Sequence, residues 1–170
     1  MKHLIDNTKT DKNTTHSYLP VYESLFSKKR ITATDVMEIG IQRGGSIQLW
    51  NDYFVYATIY GVDIDDSPVK GKRIKTFKEN AYTKEFIKTL PQMDIIIDDG
   101  PHSIETQQFV AQYYTKLLKK NGILVIEDIA SIEYVDSIID KFPNREKARY
   151  VDLREKKGRY DDILIIYENK

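Results

Sequence analysis

The apolar positions of the chain fall into two alternating patterns: short continuous apolar runs, and longer stretches in which apolar residues recur at helical spacing. The first continuous run, Val36 to Ile41, meets Gly40 and is followed by the pair Gly44-Gly45. The stretch Ser46 to Tyr56 then carries Ile47, Leu49, Trp50 and Phe54 and predicts a helix. Strands are predicted over Thr58 to Ile64, which contains Asp63, and over Ile74 to Lys78, with a short helix from Thr83 to Leu90. Met93 to Ile97 is almost wholly apolar and runs into Asp98-Asp99-Gly100. Ser103 to Lys120 has Ile104, Phe109, Val110, Tyr113, Leu117 and Leu118 at helical spacing, with Asn121-Gly122 as its predicted stop. Ile123 to Ile126 is a further buried strand ending at Glu127-Asp128, and the helix predicted from Ser131 to Phe142 is stopped by Pro143. Two strands close the chain, Arg149 to Leu153 and Ile163 to Tyr167. The turn-rich stretch Lys156 to Asp162 between them is too short for a crossover helix, so they are expected to pair antiparallel.

Continuous apolar strands alternating with amphipathic helices predict an α/β fold: a Rossmann-like doubly wound sheet, mostly parallel, with an antiparallel last strand. One domain is expected across residues 1–170. Residues 1–15 are polar and rich in Asn, Thr and Lys, and they read as a mobile or substrate-ordered arm in which His3 and His16 are solvated. A short helix is predicted from Ser17 to about Lys29, with Tyr18, Tyr22, Leu25 and Phe26 on one face.

Composition narrows the chemistry. Lys plus Arg and Asp plus Glu number 26 each, which leaves no electrostatic footprint for nucleic acid. Cysteine is absent, which excludes disulfides, thiolate zinc sites and a cysteine nucleophile. No apolar stretch is long enough to span a bilayer and no signal peptide is visible, so the expectation is a cytoplasmic protein. Self-association into a homo-oligomer is left open.

In doubly wound sheets, ligands sit beyond the carboxyl ends of the strands, and here the polar candidates fall at those ends. Glu38, Gly40, Gly44 and Ser46 belong to a glycine-bearing turn between the first strand and its helix, where glycine lets backbone approach a ligand closely. Asp63, about twenty residues on, is placed to accept hydrogen bonds from ribose hydroxyls. Glu79 and Asn80 follow the third strand and are candidates for an adenine edge, and Asp98 is a further candidate cofactor contact. The glycine spacing differs from the dinucleotide pattern. The acidic Glu38 suits the ammonium and sulfonium of S-adenosylmethionine better than a pyrophosphate.

At the other end, Asp99, Glu127 and Asp128 are expected to converge on neighbouring strand tips, where they would repel one another without a cation between them. Oxygen ligands favour a hard ion, Mg²⁺ or another divalent cation, able to chelate two vicinal hydroxyls and acidify one. His102 lies close behind Asp99. A histidine titrates near 6.5, which makes it the candidate base for a hydroxyl proton.

The stretches VMEIGIQRGGSIQLW, YGVDID, IIIDDGPHSIETQQ and GILVIEDI, in that order, resemble the metal-dependent sugar O-methyltransferases of macrolide biosynthesis, including the macrocin, mycinamicin and rhamnosyl enzymes. The resemblance runs from roughly Asp35 to Ala130, with an echo in Arg159 to Tyr167. It implies that Asp99, Glu127 and Asp128 bind the metal, that His102 is the base, and that Asp63 holds the ribose. The implied reaction is methylation of a sugar hydroxyl beside a second hydroxyl. Two departures stand out. The family usually has serine where this chain has Pro101, which fixes the backbone just ahead of His102. The macrolide enzymes also carry longer N-terminal segments that shape the acceptor site, so the expected acceptor is a deoxysugar such as rhamnose on a nucleotide, lipid or glycan. Methylation of another vicinal diol, such as a catechol-like small molecule, and a non-catalytic donor-binding partner domain stay open as alternatives.

Overall fold

The computed structural model describes residues 1–170 and shows a seven-stranded sheet in the order β3-β2-β1-β4-β5-β7-β6. The chain runs α1 (Leu19–Phe26), β1 (Asp35–Ile39), α2 (Gly45–Tyr53), β2 (Thr58–Asp63), β3 (Ile74–Lys78), α3 (Lys84–Ile87), β4 (Met93–Asp98), α4 (Ile104–Tyr113), β5 (Leu118–Ile126), α5 (Ile132–Ile139), β6 (Ala148–Asp152), α6 (Arg154–Lys157) and β7 (Ile163–Glu168). Strands β1 to β5 pair parallel, and β7 pairs antiparallel with both β5 and β6. The expected α/β doubly wound sheet with an antiparallel last strand is what forms.

Side chains alternate across the strands and divide the core in two. On one face Val36, Ile59, Ile95 and Ile97 pack under α1 and α2, where Tyr22 stacks on Phe26 and meets Trp50 edge to face. On the other, Met37, Ile39 and Ile96 pack under α3, α4 and α5 through Phe86, Val110 and Ile138. No helix is long and apolar enough to cross a membrane.

Two expectations are corrected. The helix expected through Lys120 ends at Tyr113 and tightens into a 3-10 turn over Tyr114–Leu117. Asn121-Gly122 then lies inside β5, where Asn121 has φ +60° and its N–H reaches the Asn169 carbonyl at 2.7 Å. A left-handed asparagine before glycine serves a strand irregularity as well as a helix stop, and the β4–β5 register shifts there. The N-terminal segment is not a free arm. Lys12 and His16 are buried, and the Lys157 ammonium binds the carbonyls of Asn13, Thr14 and His16 at 2.5, 3.1 and 2.7 Å.

The amino ends of β1 and β4 are fastened by Lys119, whose ammonium meets Asp35 at 2.6 Å and Asp94 at 2.9 Å. Burial pushes both carboxyls up, but Lys119 and nearby hydroxyl and backbone donors outweigh it and hold both below the ordinary carboxylate value. A depressed carboxyl stabilises the fold above its unfolded value and loses that contribution as pH falls through the folded one. The melting temperatures of wild type and Lys119→Met are therefore expected to converge as pH is lowered from about 5 to about 2. A gap that persists across a pH series of melts would exclude this linkage.

Candidate active site

The direction of the strand order reverses between β1 and β4, and a cavity of about 540 Å³ opens beyond their carboxyl ends. Backbone hydrogen bonds continue past the strands and hold the tips side by side. Gly40 N–H donates to Val62, Asp99 N–H to Ile39 and Glu127 N–H to Asp98, each at 2.9 Å. A Cβ on Gly40 would stand 2.0 Å from the Asp99 carbonyl oxygen, and its φ is +89°, so only glycine allows the two turns to touch. Four non-glycine residues in the chain adopt positive φ, and three of them, Gln42, His102 and Asp128, line this one cavity. Left-handed backbone costs about 1–3 kcal/mol per residue and collects where a site requires it.

One end of the cavity is built from the glycine turn. Gly40, Ile41, Gln42, Ser46, Asp63, Glu79 and Asn80 all line it. Asp63 Oδ2 accepts the N–H groups of Ile41 at 2.8 Å and Gln42 at 3.1 Å. Burial raises the Asp63 carboxyl, but these donors and the Asp65 N–H more than offset it, so the group stays ionised below its ordinary value. A carboxylate has about four acceptor positions, and capacity remains for a ligand hydroxyl.

Three expected cofactor contacts do not line this cavity. Gly44 has φ +75° and faces Val69. Asp98 points to the opposite face of the sheet because side chains alternate along β4. There it takes the Tyr82 hydroxyl at 2.9 Å, and burial pushes its carboxyl up to about 7. Glu38 lies under α2, fully buried and without a hydrogen bond, and burial pushes it up to about 7.

The other end is acidic. Asp99, His102 and Asp128 bring ligand atoms within 4.8 Å of one another, and so do Glu38, Asp99 and Glu127. The expected convergence of Asp99, Glu127 and Asp128 is thus present, but the three are not equivalent. Asp99 and Asp128 line the cavity, whereas Glu127 is buried behind them. His102 Nε2 stands 3.5 Å from Asp128 Oδ2 and 3.8 Å from Asp99 Oδ1, so Pro101 does not turn the imidazole away.

Several groups at this end carry no sequence motif. The Lys12 ammonium is 2.7 Å from Asp99 Oδ2 and 2.8 and 2.7 Å from the two oxygens of Glu127. Burial alone would lower its pKa, but Asp99, Glu127 and Glu38 overcome this and hold it well above the ordinary lysine value. Tyr22 donates its hydroxyl to Glu127 and Tyr18 donates to Asp128. Burial raises both phenols, and the adjacent carboxylates raise them further, so they act as donors. His16, expected to be solvated, stacks on Tyr18 between Asp128 and Asp162. Burial and the neighbouring Asp99 raise the Asp128 carboxyl, while burial, Asp99, Asp128 and Glu38 raise Glu127 in spite of Lys12. Four carboxyl groups, Glu38, Asp99, Glu127 and Asp128, thus meet one buried ammonium at this end.

No protein-family model matches the chain. Among curated proteins it is 32% identical over 134 residues to the 8-demethyl-8-alpha-L-rhamnosyl tetracenomycin-C 2'-O-methyltransferase of Streptomyces olivaceus, covering 71% of this chain and 35% of that protein. It is also 32% identical over 127 residues to the mycinamicin VI 2''-O-methyltransferase of Micromonospora griseorubida, covering 67% of this chain and 32% of that one. The chain thus spans about a third of the length of the curated relatives it matches. Among solved structures, a methyltransferase of the mycinamycin biosynthetic pathway, determined with Mg and SAH, superposes with a TM-score of 0.74 at 22% identity. That match covers 92% of this chain and 51% of the other. An O-methyltransferase family protein from Burkholderia thailandensis matches with a TM-score of 0.65 at 14% identity, over 91% of this chain and 56% of the other. The chain therefore has the class I methyltransferase fold and is a sequence relative of sugar O-methyltransferases.

Proposed function

We propose that the chain is an S-adenosylmethionine-dependent, divalent-metal-dependent O-methyltransferase whose acceptor is a sugar hydroxyl. The observation that carries this reading is one continuous cavity joining the glycine turn and Asp63 to Asp99, His102 and Asp128. Asp63 would hold the donor's ribose, with Glu79 and Asn80 at its adenine edge. Its sulfonium would then lie toward the acidic end. His102 is placed to take the acceptor's hydroxyl proton as the oxygen–methyl bond forms and the carbon–sulfur bond breaks, leaving a neutral thioether. The residues fit a hard cation: outward-facing oxygens of Asp99 and Asp128 lie beside His102, and the surrounding carboxylates exceed the one buried ammonium. Glu127 stands behind Asp99 as the third carboxylate of the set. When bound, a divalent cation there supplies a Lewis acid for two vicinal hydroxyls of the acceptor.

One relative is named for a rhamnosyl group on tetracenomycin-C, which supports a deoxysugar such as rhamnose as the acceptor; the carrier we propose is a nucleotide, lipid or glycan. Calorimetry is expected to show binding of S-adenosylhomocysteine and none of NAD. Formation of S-adenosylhomocysteine in the presence of a panel of nucleotide deoxysugars is expected to stop with EDTA and return with Mg²⁺. Transfer indifferent to chelation would remove the metal from the proposal. Donor binding without transfer to any acceptor would leave a donor-binding partner domain instead.

A further inference from the structure

The acidic end of the cavity already holds a cation that belongs to the chain. Lys12 is 0% exposed, and its ammonium spends its hydrogen bonds on Asp99 and Glu127, with Glu38 at 3.4 Å. We propose that Lys12 is a positioning residue: a permanent counter-ion that turns Asp99 outward and confines a divalent ion to the cavity-facing oxygens of Asp99 and Asp128, leaving His102 free as the base. The part concerning the ion rests on the metal reading above, whereas the permanence of Lys12 does not.

Three observations support it. First, the two carboxylates that face the cavity are each tied by one oxygen from the arm side. Lys12 takes Asp99 Oδ2 and Tyr18 takes Asp128 Oδ1, so Asp99 Oδ1 and Asp128 Oδ2 are the oxygens nearest His102. Both oxygens of Glu127 are occupied by Lys12, and Tyr22 adds a third hydrogen bond. Second, the arm that delivers Lys12 is fastened at points away from the carboxylates. Lys157 binds three of its carbonyls and Ser17 N–H reaches Asp162 at 3.3 Å, while the Asp11 carbonyl, accepting the N–H groups of Thr14, Thr15 and His16 at 3.0 Å, sets the arm's own turn. The Lys9 carbonyl carbon lies 2.5 Å from where a Gly45 Cβ would stand, so the arm is seated directly on the start of α2. A metal that expelled Lys12 would have to act against this independent anchorage. Third, three carboxylates, Glu38, Asp99 and Glu127, surround the single ammonium, and a fourth, Asp128, stands beside Asp99. A divalent ion is thus accommodated beside the lysine rather than in its place.

Binding of Mn²⁺ alone, followed by calorimetry, tests the proposal on the full chain. Lys12→Met removes the charge and frees Asp99 and Glu127, so the ion is expected to sink inward and bind at least tenfold tighter, about 1.4 kcal/mol. A lysine that merely supported the fold would leave the affinity unchanged or weaken it, and either result overturns the proposal. Limited proteolysis of the wild-type arm needs no variant: cleavage is expected to be equally slow in EDTA and in excess Mg²⁺. Faster cleavage with Mg²⁺ would show that the metal displaces Lys12 and would also overturn the proposal. If Lys12→Met does not fold, the double variant Lys12→Met with Glu38→Gln removes one buried carboxylate and carries the same Mn²⁺ expectation. Wild-type protein that binds no Mn²⁺ would sink the metal reading of the function, yet Lys12→Met would still be expected to gain a site. The two failures are therefore distinguishable.

Discussion

Changing His102 to asparagine is expected to lower methyl transfer by about 10²–10⁴-fold while leaving S-adenosylhomocysteine affinity unchanged. His102 has φ +56°, and asparagine tolerates that conformation better than alanine, so the loop should hold its shape. The imidazole is 36% exposed and lies between the outward oxygens of Asp99 and Asp128, so the charge it gains with a proton has two carboxylates beside it. The donor contacts proposed at Asp63, Glu79 and Asn80 lie at the other end of the cavity. Turnover and calorimetry on one preparation would separate the two effects. Undiminished turnover would remove His102 as the base.

Gly40→Ala is expected to disable donor binding and destabilise the fold together. Its φ of +89° alone costs an alanine about 1–3 kcal/mol. The methyl would also stand 2.0 Å from a backbone oxygen of Asp99, where no flexible side chain can yield. The β1 and β4 tips would have to separate, pulling the glycine turn off Asp63 and Asp99 away from His102. A thermal melt is expected to fall by roughly 2–4 °C for each kcal/mol. Calorimetry is expected to show S-adenosylhomocysteine affinity reduced at least about tenfold. An unchanged melt with unchanged affinity would mean that the close approach of the two turns has no functional weight.

The sheet was legible in the sequence because its signals are local. Continuous apolar runs such as Met93 to Ile97 cannot face water on either side, and glycine and acidic residues mark where each run leaves the core. Asp63, Asn80, Asp99, His102 and Asp128 are legible this way as residues at or just after a strand's end, and each lines the cavity. Sidedness was harder. Glu38 and Asp98 sit at the right ends of the right strands, but the two-residue alternation points them away from the cavity. The arm was misread because its order comes from long-range bonds, such as Lys157 to the carbonyls of residues 13, 14 and 16, that polar composition does not reveal. Tyr18, Tyr22 and Phe26 did announce a buried helix face by their spacing. A helical wheel counts a tyrosine as apolar and is silent about the hydroxyl that ends on a carboxylate.

The placement of β7 between β5 and β6 bears on when the pocket can exist during synthesis. β5 carries Glu127 and Asp128 on its tip, and its second edge stays open until Ile163–Glu168 emerges from the ribosome. The segment around Lys12, which caps the same carboxylates, is made 115 residues before Glu127 and must wait across that stretch for its partner. Nascent chains halted before Ile163 should therefore display the parallel half of the sheet while lacking an assembled acidic centre.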